Sequence, residues 1–89
     1  MKRLEATVRG RVQGVGFRAF ALEQGRRRAL QGWVKNDWDG SVKVLAEGED
    51  PLLGSFLEAL RRGPSLARVD GVDVAWEPAQ NNLSAFAIR

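Results

Sequence analysis

The 89 residues carry 14 Lys and Arg against 11 Asp and Glu, with no cysteine and no histidine. That length makes one domain over residues 1–89 with room for a single core. The missing residue types exclude disulfides, thiol nucleophiles, Cys/His zinc sites and imidazole bases, leaving Arg, Asn, Gln, carboxylates and backbone for any chemistry.

The net charge of +3 favours anionic ligands without demanding nucleic acid. No apolar run reaches the ~20 residues of a membrane span, and no amino-terminal stretch has a signal peptide's apolar core. A cytoplasmic protein with no membrane partner is expected.

In chain order, Leu4, Ala6, Val8, Gly10 and Val12 alternate with Arg3, Glu5, Thr7, Arg9 and Arg11, the pattern of a half-buried strand. Gly14 and Gly16 follow, and at Phe17 the period becomes helical, continued by Phe20, Ala21 and Ala29 or Leu30. Glycines permit positive φ, which turns backbone N–H groups inward, and a helix's first turn adds unpaired donors and about +0.5 of a charge. The loop Gln13, Gly14, Val15, Gly16, Phe17 therefore reads as a seat for phosphate. Arg18 adds a fork that can grip two oxygens at once. The same residues also describe a tight strand-to-helix turn with a surface arginine, which is the commoner case. Gly25 weakens the helix's second half, and Arg26, Arg27 and Arg28 read as a solvated face.

Gln31 to Asn36 is the next strand, and Asp39-Gly40 signals a turn into a return strand from Ser41 to Glu47. A second helix opens with Asp50 as N-cap and Pro51 at its first position. Leu52, Leu53, Phe56, Leu57 and Leu60 give it an apolar stripe, Glu58 and Arg62 are spaced to pair, and Gly63-Pro64 ends it. Val72, Val74 and Trp76 alternate in a fourth strand, Pro78 to Asn82 is a polar turn, and Phe86 and Ile88 suit a short last strand. Trp33 and Trp76 read as core or sheet packing. Asp39 is explained by the turn and Asp37 by solvation, so neither marks a metal or base site, and no metal or other cofactor is expected.

Strand, helix, strand, strand, helix, strand is the split βαβ order of an α+β, ferredoxin-like sandwich, with two helices on one face of an antiparallel sheet and a short extra C-terminal strand. There the first two strands are parallel, so Asn36 ends at the same sheet edge as the glycine loop, two strand spacings or roughly 9.6 Å away. Asn36 and a phosphate in the loop could share a water. On spacing alone, Asn36 also reads as a turn residue.

The segment GRVQGVGFR at 10–18 resembles the signature of the acylphosphatases, and GWVKNDWDGSV at 32–42 resembles that family's second motif. The likeness runs to the terminal Phe-Ala-Ile-Arg and so covers essentially the whole chain. It implies hydrolysis of the carboxyl-phosphate anhydride of an acyl phosphate to a carboxylate and inorganic phosphate, with no cofactor. It places Arg18 on the phosphate-binding catalytic arginine and Asn36 on the asparagine that orients the attacking water. Gln13, Gly14, Val15, Gly16 and Phe17 then supply backbone donors. Gly25, Arg28 and Ala29 depart from the family's pattern and leave the end of the first helix open.

Two other classes fit the element order less well. An RNA-recognition module needs exposed aromatics on its third strand, and Ser41-Val42-Lys43-Val44-Leu45-Ala46 has none, so no nucleic acid partner is expected. A non-catalytic anion sensor would not need both Arg18 and Asn36. Trp38, at the hairpin tip, is placed to touch an acyl group. A monomer is expected, since no apolar stripe is left over.

Overall fold

The amino-terminal alternation forms β1 (Lys2–Arg11), and the change of period at Phe17 starts α1 (Phe17–Arg27). Then come β2 (Gln31–Asn36), β3 (Val42–Gly48), α2 (Asp50–Arg62), β4 (Arg68–Pro78) and β5 (Ala87–Ile88). These elements belong to a computed structural model that describes residues 1–89. The five strands form one sheet in the order β4-β1-β3-β2-β5. Since β3 is antiparallel to both β1 and β2, those two are parallel with one strand between them. Their carboxyl ends share an edge, as the ferredoxin-like order requires. β5 joins β2 in parallel, with Trp33 opposite Ala87 and Val34 opposite Ile88, so the sheet is mixed rather than wholly antiparallel.

Both helices cover one face. Leu4, Ala6 and Val8 of β1, Val34 of β2, and Val42, Val44 and Ala46 of β3 are buried beneath Phe17 and Ala21 of α1 and Leu53, Phe56, Leu57 and Leu60 of α2. Each Val, Leu or Phe side chain among them contributes about 1.5–3 kcal/mol when fully withdrawn from water. Leu52 falls off the stripe and is exposed. The opposite face is polar: Thr7 and Lys43 pair across it, the Lys43 ammonium donating to the Thr7 hydroxyl at 3.1 Å.

Local expectations needed correction. The N-cap of α2 is Glu49, the last extended residue (φ −69°, ψ 143°), while Asp50 is already helical and meets the helix dipole from inside the first turn. Glu58 pairs with Arg61 at 3.9 Å rather than with Arg62. β3 starts at Val42 because Ser41 is spent in the turn. Trp76 lies on the edge strand, 46% exposed, and Trp33 sits on the polar face with the Arg89 guanidinium 4.9 Å from its ring centre.

Two departures in α1 resolve together. Gly25 is buried, and a Cβ there would lie 2.7 Å from the ring of Phe86, which instead packs edge-to-face on Phe56 with centroids 5.6 Å apart. The glycine thus admits Phe86 without breaking the helix. Ala29 takes the left-handed conformation (φ 53°) usual for a glycine closing a helix, and Leu30 N–H donates to the Gly25 carbonyl at 3.0 Å. That conformation costs an alanine roughly 1–2 kcal/mol.

Residues 79–86 must carry the chain from β4 at one edge to β5 at the other. They are pinned on the way by Glu47, whose side chain is fully buried. Its carboxylate accepts from Arg3 Nε (2.6 Å), Gln80 N–H (2.9 Å) and Asn81 N–H (3.1 Å), and Arg3 also donates to Asn82 Oδ1 (2.6 Å). Burial pushes the Glu47 carboxyl up, but the Gln80 N–H, the Arg3 guanidinium and the Asn81 N–H outweigh it and hold the group below its ordinary 4.5.

Candidate active site

The loop between β1 and α1 is fixed at both ends by core residues, Val12 and Phe17, each buried. Between them Gly14 (φ 74°) and Gly16 (φ 79°) are left-handed, and a Cβ on either would meet nothing within 4 Å. Backbone dihedral, not space, therefore demands glycine here. Gly16 is the N-cap of α1; no side chain caps the helix and no acid stands in its first turn. Phe20 N–H is bonded to the Gly16 carbonyl at 3.0 Å, whereas the amides of Phe17, Arg18 and Ala19 have no intrahelical partner. Arg18 stands exposed in this turn and makes no ion pair. The result is a concentration of N–H donors and positive charge with nothing of its own to neutralise it.

Gln13 has a more specific task than spacing revealed. Its side-chain amide donates to the carbonyls of Asp37 (2.7 Å) and Ser41 (2.9 Å), tying the loop to the β2–β3 hairpin. The side chain is thereby committed, leaving its backbone as what it can offer a ligand.

Asn36 ends β2 on the same face as Val34, and its Oδ1 is shut off from solvent with no hydrogen-bond partner. An unpaired buried acceptor of this kind costs about 1–3 kcal/mol. Asn36, Gly14, Gly16, Arg18, Ala19 and Ile88 share a single cleft of 280 Å³. That is at the small end of the ~300–1,000 Å³ usual for small-molecule sites. The loop and Asn36 meet as the strand order predicted. Ile88 was not foreseen, because a two-residue strand gives no sign of which neighbour it will join.

Other candidates lie apart. Trp38 is 95% exposed and takes no part in the cleft wall. Asp39 accepts from Ser41 Oγ (2.6 Å) and Ser41 N–H (2.9 Å), which hold its carboxyl below the ordinary 3.8. Asp37 accepts from Trp38 N–H at 2.9 Å. No three His, Cys, Asp or Glu side chains gather where they could hold a metal ion.

Fold and cleft together define a small α+β protein that offers an oxyanion a helix N-terminus and an arginine, with an asparagine in the same cleft. Comparison with known proteins makes this specific. The acylphosphatase family model matches residues 4–88. An acylphosphatase of Salinibacter ruber is 48% identical over 88 residues, spanning 99% of this chain and 93% of the relative. One from Thermus thermophilus is 51% identical over 76 residues, spanning 85% and 86%. The crystal structure of acylphosphatase from Bacillus subtilis superposes with a TM-score of 0.97 at 40% identity, covering 100% of this chain and 99% of that one. The chain belongs to the acylphosphatase family, and its activity is the hydrolysis of acyl phosphates.

Proposed function

We propose that the phosphoryl group of the acyl phosphate sits in the loop Gln13 to Phe17, its oxygens held by backbone N–H groups and by the Arg18 fork. The side-chain amide of Asn36 aligns the attacking water. The observation that carries this reading is the single cleft that Asn36 lines together with Gly14, Gly16 and Arg18.

The chemistry asks little more. The water oxygen bonds to phosphorus, the bond from phosphorus to the acyl oxygen breaks, and the carboxylate leaves as a stable anion. The water's proton passes to a phosphoryl oxygen, so no protein base is needed. A loose phosphoryl-transfer transition state spreads negative charge over the equatorial oxygens, where preorganised donors act most strongly. On this reading no metal takes part. The protein works as a cytoplasmic monomer on small acyl phosphates, releasing inorganic phosphate, without nucleic acid.

Arg18→Ala and Asn36→Ala are each expected to lower kcat by about 10² to 10³, the usual loss for one preorganised donor or orienting group. Arg18→Lys keeps the charge but not the fork, and is expected to be nearly as poor. The assay is hydrolysis of acetyl or benzoyl phosphate in EDTA. Turnover that requires added metal, or an Asn36→Ala variant of wild-type rate, would overturn the assignment.

A further inference from the structure

The phosphate loop and Asn36 follow strands that are not neighbours. β3 lies between β1 and β2, so no ladder of hydrogen bonds joins the two halves of the site directly. In-line attack on phosphorus depends on their separation, and a misplacement of about 1 Å can cost on the order of 10² in rate. The loop must therefore be held against the end of β2.

One side chain does this. The only hydrogen bonds that cross between residues 12–17 and residues 36–42 are the two that Gln13 Nε2 donates, to the carbonyls of Asp37 at 2.7 Å and Ser41 at 2.9 Å. Asp37 follows Asn36 in the chain, and Ser41 precedes Val42, the Cα partner of Asn36. The amide nitrogen thus closes off the last rung between β2 and β3, the rung that carries Asn36. Both acceptors are carbonyl oxygens, so only the nitrogen end of the amide can face them, and its two hydrogens match two partners. The acceptors are themselves fixed, since Asp37 N–H donates to the Ser41 carbonyl at 2.9 Å and Gly40 N–H to the Asp37 carbonyl at 3.2 Å. The loop has its own supports in Val12 and Phe17, both buried, which keep the phosphate seat in shape without Gln13.

We propose that Gln13 is a positioning residue which sets the distance between the phosphate seat and Asn36, acting on the alignment of water and not on the hold of phosphate. This rests on the proposed role of Asn36. A side chain that only shaped the loop would alter phosphate binding and turnover together. One that ties the loop to Asn36 alters turnover alone, and only while Asn36 is there to be displaced.

The test is a double-mutant cycle on acetyl phosphate hydrolysis, with inhibition by inorganic phosphate measured alongside. Gln13→Met keeps the length and loses both donors. Its kcat is expected to fall by about 10 to 10², with the phosphate inhibition constant within about twofold of wild type. In an Asn36→Ala background the same change is expected to lower kcat by less than about twofold, since residues that act as a unit are not additive. A merely structural role would remove the same factor in both backgrounds, and that result overturns the proposal. So does an inhibition constant that rises in step with the fall in kcat. Gln13→Glu, of the same shape and without a donor when ionised, repeats the cycle if the methionine variant does not fold. Equal factors with Asn36→Ala itself impaired remove the role of Gln13 alone. An Asn36→Ala variant of wild-type rate removes the reading of Asn36 and that of Gln13 with it.

Discussion

At Gly25, helix propensity and packing predict opposite signs. In an exposed helix, Gly→Ala stabilises by roughly 0.5–1 kcal/mol. Here the new methyl would press on the Phe86 ring from 2.7 Å. Overpacking of this kind costs typically 1–3 kcal/mol, so Gly25→Ala is expected to destabilise the protein, read as a lower urea midpoint at unchanged m-value. A raised midpoint would show that the ring yields easily. The sequence marked Gly25 as a weakness because propensity is local, whereas the ring that requires the glycine arrives 61 positions later in the chain. By contrast Arg18 and Asn36 were singled out through the family resemblance, since on spacing alone each also reads as part of a turn. Their surroundings are built from contiguous residues, a glycine loop and a strand end, whose conformations the sequence itself constrains.

Among the elements, the crossing segment from β4 to β5 depends most on a single group. The Glu47 carboxyl is held below its ordinary 4.5 in the fold. Such a group adds stability that is fully present above its unfolded pKa and is lost as pH falls through the folded value. The expected window lies below pH 4.5. Glu47→Gln should lower stability at neutral pH by about 3 kcal/mol, the lower end of the cost of breaking a buried pair, since the amide oxygen still accepts. Its stability should then change less with acid than that of the wild type. Urea midpoints from pH 7 down to pH 3 would check both, and parallel curves would remove Glu47 as the source. The sequence showed a polar turn at Pro78 to Asn82 but not its anchor. A carboxylate that alternates to the polar face of a strand looks solvated until another segment covers it.

For the whole molecule, the order of elements sufficed to give layers, topology and the edge where loop and Asn36 meet, because right-handed crossover leaves few alternatives. The seat of β5 did not follow, since two residues carry no pattern. The register of β1 with β4 has a further consequence, which concerns time. Lys2 lies opposite Pro78 and Arg11 opposite Arg68, so the strand synthesised first is flanked by one of the last. No local hairpin can stand in for that pairing, and the loop-closure entropy must be met before the contact rewards it. Refolding is therefore expected in roughly milliseconds to seconds rather than microseconds, measurable by stopped-flow fluorescence of the three tryptophans. Until residues near 78 have emerged from the ribosome, β1 lacks its outer neighbour, and its free edge stays open to any other extended chain that meets it.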